Sequence, residues 1–299
     1  MKVFLKTTIL TLLITWLCYC SERQGRDIRS EIIDSLSAVQ GTFAVAFKDL
    51  ESSETLFINE EEEFHAASTM KTPVMIRLFQ MVDSGLIRME DTVLIKNEFN
   101  SIVDGSRFST EVPADSAEYI YQNIGSYTTL FSLTEDMITW SSNLATNILM
   151  EIADPEKVTQ TTRELGAKKM KVLRGVSDLK AFEKGLSNTT TAYDLMVILE
   201  SIATNSAASE GSCQKMTTLL LAQKIKDSIP LKLPEGVKVA HKGGAITGVR
   251  HDSGIIYLPD GRIYILVLLS KDLIDEQKAM NMMANVSYLL YQYVIESNL

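Results

Sequence analysis

Three short stretches of this chain hold side chains suited to acyl transfer. Ser68 and Lys71, in Ser68-Thr69-Met70-Lys71, stand three residues apart. On a helix that spacing puts both on one face, where an amine can take the proton of an attacking hydroxyl. Met70, Val74, Leu78, Phe79 and Val82 follow at roughly helical spacing, and Pro73 suits a first turn, where its missing N–H costs least. Ser68 is therefore expected at the positive end of a helix dipole, among N–H groups with no partner inside the helix. Downstream lie Ser141-Ser142-Asn143 and then His241-Lys242-Gly243-Gly244-Ala245. Each stretch alone is weak. Ser-x-x-Lys recurs at Ser177/Lys180 and Ser212/Lys215, Ser-x-Asn more often caps a helix, and Lys-Gly-Gly is commonly a turn. Their order carries the chemical reading.

The elements that must position these residues follow from pattern. A first helix is expected over Ile28 to Leu36, then a strand over Gly41 to Phe47 with a hairpin partner Thr55 to Ile58. The nucleophile helix ends near Ser84-Gly85, and helical patches broken at Pro113 and Gly125 continue to about Leu221. Thr134-Glu135-Asp136 and Thr190 to Asp194 look like helix starts, while Leu165 to Asn188 reads as loop. Val237 to His241 is a strand, Ser253 to Leu258 and Arg262 to Leu269 form a hairpin around Pro259-Asp260-Gly261, and Asp275 to Ile295 is a closing helix. Strands at both ends with helices between predict an α/β (α+β) fold. Both termini build one antiparallel sheet with flanking helices, and an all-α lobe is inserted. The division expected is 1–20 export signal, 21–27 tether and 28–299 catalytic domain. Within the domain, 28–64 and 226–299 form the sheet lobe and 65–225 the helical lobe.

Composition narrows the function. The 299 residues are 45% hydrophobic and 22% charged, ordinary for a globular protein. A net charge of −9 without a basic run argues against a nucleic-acid partner. Lys2 and Lys6 precede a short apolar run from Thr7 to Leu17, an export signal too short for an ordinary membrane span. Two readings of its end compete: lipid attachment at Cys20 (Cys18 being the weaker candidate), or ordinary cleavage. Either way the mature protein leaves the cytoplasm, for the periplasm or for a membrane-anchored place at the outer side of the inner membrane or at the outer membrane. Cys213 is the one cysteine deep in the chain, and His65, His241 and His251 lack metal-ligand spacing, so no disulfide framework, metal or cofactor is expected.

With Ser68/Lys71, Ser141-Ser142-Asn143 and Lys242-Gly243-Gly244 in this order, the chain resembles the penicilloyl-serine fold family and, within it, the class A β-lactamases, whose signature is S-x-x-K, S-D-N and K-T-G. The resemblance covers most of residues 40–299 and implies a sheet lobe and a helical lobe with the active site between them. It makes Ser68 the acylated nucleophile, Lys71 its base or proton relay, and Ser141 the donor to the leaving nitrogen. Asn143 would hold the substrate's side-chain amide and Lys242 its carboxylate. The N–H groups of Ser68 and Ala245 would form the oxyanion hole, with Gly243 and Gly244 leaving room beside the strand. Two amines at one pocket disfavour each other's protonation, which suits Lys71 as a base.

Three positions depart from the family pattern. Ser142 replaces an aspartate. Gly243 replaces a hydroxyl-bearing residue; either Arg250 or Thr247 offsets that loss, or Arg250 is a plain surface arginine. Ser177 stands where the deacylating glutamate is aligned, and a hydroxyl is too weak a base for that task. Either Asp178 or Glu183 takes over, or both are simply solvated loop carboxylates. The leading expectation is a monomeric serine β-lactamase acting through acyl-Ser68. The alternatives are a penicillin-binding D-alanyl-D-alanine carboxypeptidase or transpeptidase acting on peptidoglycan stem peptides, and a slowly deacylating β-lactam binder.

Overall fold

The computed structural model describes residues 27–112 and 115–296. The expected export signal with Cys18 and Cys20, most of the expected tether, and Pro113 lie outside the described residues.

The first helix α1 (Ile28–Ser37) is capped by Asp27, whose side chain accepts from Ser30 N, and leads into β1 (Thr42–Asp49) and β2 (Thr55–Ile58). The short β3 (Phe64–His65) runs into a 3-10 turn (Ala67–Met70) and then α2 (Lys71–Asp83). Short strands follow: β4 (Thr92–Leu94), β5 (Phe99–Asn100), β6 (Arg107–Phe108) and β7 (Tyr127–Thr129). Helices α3 (Leu130–Glu135), α4 (Asn143–Ala153), α5 (Pro155–Glu164) and the five-residue α6 (Leu179–Glu183) come next. After β8 (Thr189–Thr190), α7 (Ala192–Ala203) and α8 (Glu210–Leu221), the chain returns to strands: β9 (Lys238–His241), β10 (Gly244–Ile246), β11 (Val249–Tyr257) and β12 (Ile263–Lys271). Helix α9 (Glu276–Glu296) follows.

The main sheet has the order β10-β11-β12-β1-β2, all antiparallel, with β9 also paired to β11. It is therefore built from both ends of the chain. Period-two alternation gives it two buried faces. Phe43, Val45 and Phe47 of β1, with Tyr264, Leu266 and Leu268 of β12, meet Ile32 of α1 and Met283, Val286 and Leu290 of α9. Ala44 and Ala46, with Ile265, Val267 and Leu269, face a core that includes Leu195, Ile198 and Leu199 of α7. Small residues on that face of β1 let α7 lie directly on the sheet. The helical core around α2 and α4 is continuous with this second layer.

Several boundaries differ from the sequence expectation. The helix expected to open at Thr134 begins at Leu130, because Thr129 caps it by accepting from Ser132 N, and Thr134 Oγ1 lies inside it, donating to Leu130 O. The helix start expected over Thr190 to Asp194 is found there, with Thr191 capping α7 by accepting from Asp194 N. Within 165–188 the short α6 interrupts the loop. Three two-stranded ribbons (β3 with β8, β4 with β7, β5 with β6) sit among the helices, each too short to leave an alternation in sequence.

Candidate active site

Ser68 lies in the 3-10 turn, and Lys71 is the first residue of α2, so the two share one continuous helical entry. The entry is tight. Ala67 takes a left-handed φ of 45°, a conformation uncommon for a residue with a Cβ, and its N–H donates to His65 Nδ1 at 3.0 Å. Ser68 is half-buried at the edge of a cavity of about 660 Å³. Ser141, Asn143, Lys242, Gly244 and Ala245 also line it. Lys71 lies beneath, with no exposed surface.

Ser141 ends a π-helical turn (Asp136–Trp140) in a left-handed conformation, φ 60°, and Asn143 opens α4. This turn faces both amines. Lys71 Nζ donates to Ser141 O at 2.7 Å and Asn143 Oδ1 at 3.0 Å, and meets Ser141 Oγ at 3.2 Å. Lys242 Nζ lies 3.0 Å from Ser141 Oγ and 2.9 Å from Gly243 O. Burial first, and the nearby Lys242 charge second, hold the Lys71 amine well below the usual lysine range, against the opposing pull of Asp115. Burial lowers Lys242 to about 8, with Asp252 and Asp227 resisting. A neutral Lys71 fits its partners: two N–H groups meet two oxygens that only accept, and its lone pair is left for a hydroxyl proton. Ser141 Oγ can then donate to Lys71 while accepting from Lys242. The hydroxyl links the two amines.

The third stretch forms an edge strand. His241 pairs with Gly254 and Gly244 with His251 in one register, and Lys242 N donates to Ser253 O at 2.9 Å. Antiparallel alternation then turns the N–H groups of Gly243 and Ala245 away from β11, toward the open edge. There β10 presses on the Ser68 turn: a Cβ built on Gly244 would lie 2.9 Å from Ser68 N and 3.2 Å from Thr69 N. The sequence reading gave Gly244 the role of leaving space for substrate; its nearest need is to let this strand approach the nucleophile. A Cβ on Gly243 would lie 3.2 Å from His251 O. Behind Lys242, buried His241 holds Asp252 Oδ1 at 2.9 Å through Nδ1. Arg250 and Thr247 both line the cavity, and Arg250 Nη2 is paired with Glu276 at 2.6 Å.

The loop proposed for water activation is pinned. Asn147 of α4 accepts from Val176 N at 2.7 Å and donates to Val176 O at 3.0 Å. Gly175 allows this, since a Cβ there would sit 2.2 Å from Asn147 Oδ1. Ser177 lines the cavity at a φ of 67°. Asp178 borders the cavity but is buried and engaged, accepting from Ser101 Oγ, Ile102 N and Ala181 N. Glu183 is exposed on α6 and is not among the residues lining the cavity. The other two Ser-x-x-Lys matches are structural: Lys180 pairs with Asp104, and Ser212 Oγ donates to Asp83.

Asp115 and Asn147 were not signalled by the sequence, because each acts through a contact with a distant segment. Among the described residues no group of three or more His, Cys, Asp or Glu side chains is placed to hold a metal ion.

The chain is similar to known proteins over most of its length. A family model described as the beta-lactamase enzyme family matches residues 27–294. The extended-spectrum beta-lactamase PER-1 of Pseudomonas aeruginosa is 23% identical, over 99% of this chain and 97% of its own. A beta-lactamase of Bacillus licheniformis is 25% identical, over 82% of this chain and 75% of its own. The solved structure of PBP-A shares the fold, with a TM-score of 0.78 at 23% identity over 91% of this chain and 97% of that one.

Proposed function

The chain belongs to the beta-lactamase enzyme family, and from that premise we propose that it is a serine hydrolase opening β-lactam rings through an acyl-Ser68 intermediate. The observation that carries this is the Ser141 hydroxyl between two buried amines, 3.2 Å from Lys71 Nζ and 3.0 Å from Lys242 Nζ. In acylation Ser68 Oγ attacks the lactam carbonyl and its proton passes to neutral Lys71. As the C–N bond breaks, Ser141 Oγ gives its proton to the ring nitrogen and regains one from Lys71. The N–H groups of Ser68 and Ala245 hold the developing oxyanion, each such donor contributing about 3–4 kcal/mol. Lys242 draws the substrate carboxylate, Asn143 holds the side-chain amide, and Gly244 keeps the strand close.

Export to the periplasm, with or without lipid at Cys20, a monomeric state and a part in antibiotic resistance belong to the same proposal and rest on the sequence. Intact-mass measurement after penicillin treatment tests the central step. A single adduct on Ser68 is expected, absent in Ser68→Ala; an adduct that persists in that variant overturns the assignment.

One observation favours a second reading. The 173–178 loop offers Ser177, and Asp178 is engaged by Ser101, Ile102 and Ala181. An acyl-Ser68 species that water resolves slowly suits a penicillin-binding D-alanyl-D-alanine peptidase acting on stem peptides, or a slowly deacylating binder. A neighbour of the same fold, a PBP-A variant, is described as an acyl-enzyme complex with penicillin G. Rapid penicillin turnover without action on D-Ala-D-Ala peptides counts against this version.

A further inference from the structure

Ser142 stands where the family pattern has an aspartate, yet the helix it opens does not lack a carboxylate. Asp115, from a separate stretch of chain and only 5% exposed, lies at the start of α4. Its Oδ2 accepts from Asn143 N at 2.8 Å, Leu144 N at 2.9 Å, Ser142 Oγ at 3.1 Å and Tyr121 Oη at 3.1 Å. Its Oδ1 accepts from Ala117 N at 3.0 Å. Two of these donors are first-turn amides of α4, which have no partner inside the helix and sit at its positive end. Ser142 Oγ in turn accepts from Ala145 N at 3.2 Å, so one hydroxyl both caps the helix and ties it to Asp115.

We infer that Asp115 is a positioning residue for the acyl-transfer step. It supplies from another segment the carboxylate that Ser142 lacks, and it fixes Ser141 Oγ and Asn143 Oδ1 against Lys71 Nζ. The inference rests on the acylation chemistry proposed above. The path is short: Asp115 Oδ2 to Asn143 N, then Asn143 Oδ1 to Lys71 Nζ at 3.0 Å. Ser141 needs such an anchor. It holds a left-handed φ of 60°, and the residue after it is tied down through Ser142 N to Asp136 O at 3.0 Å and through Ser142 Oγ to Asp115. The charged groups bearing on Lys71 are Lys242, which disfavours its protonation, and Asp115, which favours it. Asp115 therefore acts on the base in two ways, by placing its acceptors and by its charge.

The test is a two-residue cycle on the purified mature protein: wild type, Asp115→Asn, Ser142→Asp, and the double substitution. Acylation by benzylpenicillin is followed by quench and intact mass across pH, with thermal unfolding of all four proteins. Asp115→Asn removes the carboxylate; Ser142→Asp puts two carboxylates at one buried helix start, where like charges repel. Each single substitution is expected to slow acylation about tenfold and lower the melting temperature. The double substitution restores one carboxylate and recovers about tenfold over either single, to near the wild-type rate, a coupling of about 2.7 kcal/mol. In Asp115→Asn the acid limb of acylation moves to lower pH, because Lys71 loses its favourable charge; in the double substitution it moves back. A purely structural loss would lower the plateau and leave the limb in place.

Effects that simply multiply, or a limb that does not move in Asp115→Asn, overturn the inference. Where a single variant does not fold, recovery is read from the melting temperature of the double, and a double no more stable than the worse single also overturns it. A wild type that benzylpenicillin does not acylate defeats the proposed function instead, while the unfolding cycle still decides whether Asp115 stands in for the missing aspartate.

Discussion

Replacing Gly244 by alanine tests how closely β10 is held against the nucleophile turn. The added Cβ would lie 2.9 Å from Ser68 N, 3.1 Å from Ala67 Cβ and 3.2 Å from Thr69 N, where ordinary contact begins at 3.4 Å. Two of these atoms are backbone, so no side chain can swing aside. The strand has to retreat by about half an ångström, and the Ala245 N–H retreats with it. Misplacement of about 1 Å costs on the order of a hundredfold in a positioned reaction. We therefore expect acylation to slow about 10- to 100-fold. Overpacking of this kind costs about 1–3 kcal/mol, which lowers the melting temperature by about 2–10 °C in a chain this size. The assay is single-turnover acylation by a penicillin, with unfolding followed in parallel. Gly211→Ala in α8 is the control, since a Cβ there meets nothing within 4 Å. Acylation by Gly244→Ala within about twofold of wild type would refute the reasoning, because an oxyanion hole so close to this contact could not ignore it.

Lys242, lowered to about 8, is charged below that pH and neutral above it. The KM for a carboxylate-bearing β-lactam should rise as pH passes about 8, and Lys242→Arg should remove that limb; a KM that stays flat well above 8 contradicts the role. His251 is buried with its protonation suppressed to about 4 from 6.5, chiefly by burial. Its folded state binds fewer protons than the unfolded chain in that window, so stability is full above 6.5 and is lost as pH falls toward 4. The loss amounts to about 3 kcal/mol. Denaturant unfolding across this range should decline less steeply in His251→Gln, and an unchanged slope would refute the assignment. Asp178→Asn should cost about 1–3 kcal/mol of stability by weakening its bonds to Ser101 and Ile102, with acylation and turnover within about threefold of wild type. Turnover lost while acylation survives would instead identify Asp178 as the deacylating base.

The sequence made local spacing legible. Ser68 and Lys71 could be paired because three residues on a helix entry share a face, and β1 and β12 because their alternation is long enough to read. The edge strand was only half visible: Val237 to His241 alternates, but β10 is three residues of Gly244-Ala245-Ile246 and is held by its register with β11. The start of α3 was misplaced because Thr134 has cap chemistry but donates back to Leu130 O within the helix. Asp115 and Asn147 were invisible because their partners, Asn143 and Val176, are 28 and 29 residues away in sequence. The same holds for Asp178, whose fate was decided by Ser101 and Ile102 across the fold. What stayed hidden was tertiary hydrogen bonding, which no local pattern encodes.

Stopped-flow hydrolysis of a chromogenic cephalosporin by the mature protein, with intact mass sampled over time, tests the acyl-Ser68 chemistry most directly. We expect a fast burst matched by one adduct on Ser68, followed by turnover slower than the burst, since Ser177 offers no base for deacylation. Hydrolysis without an adduct at Ser68, or continuing in Ser68→Ala, would contradict it.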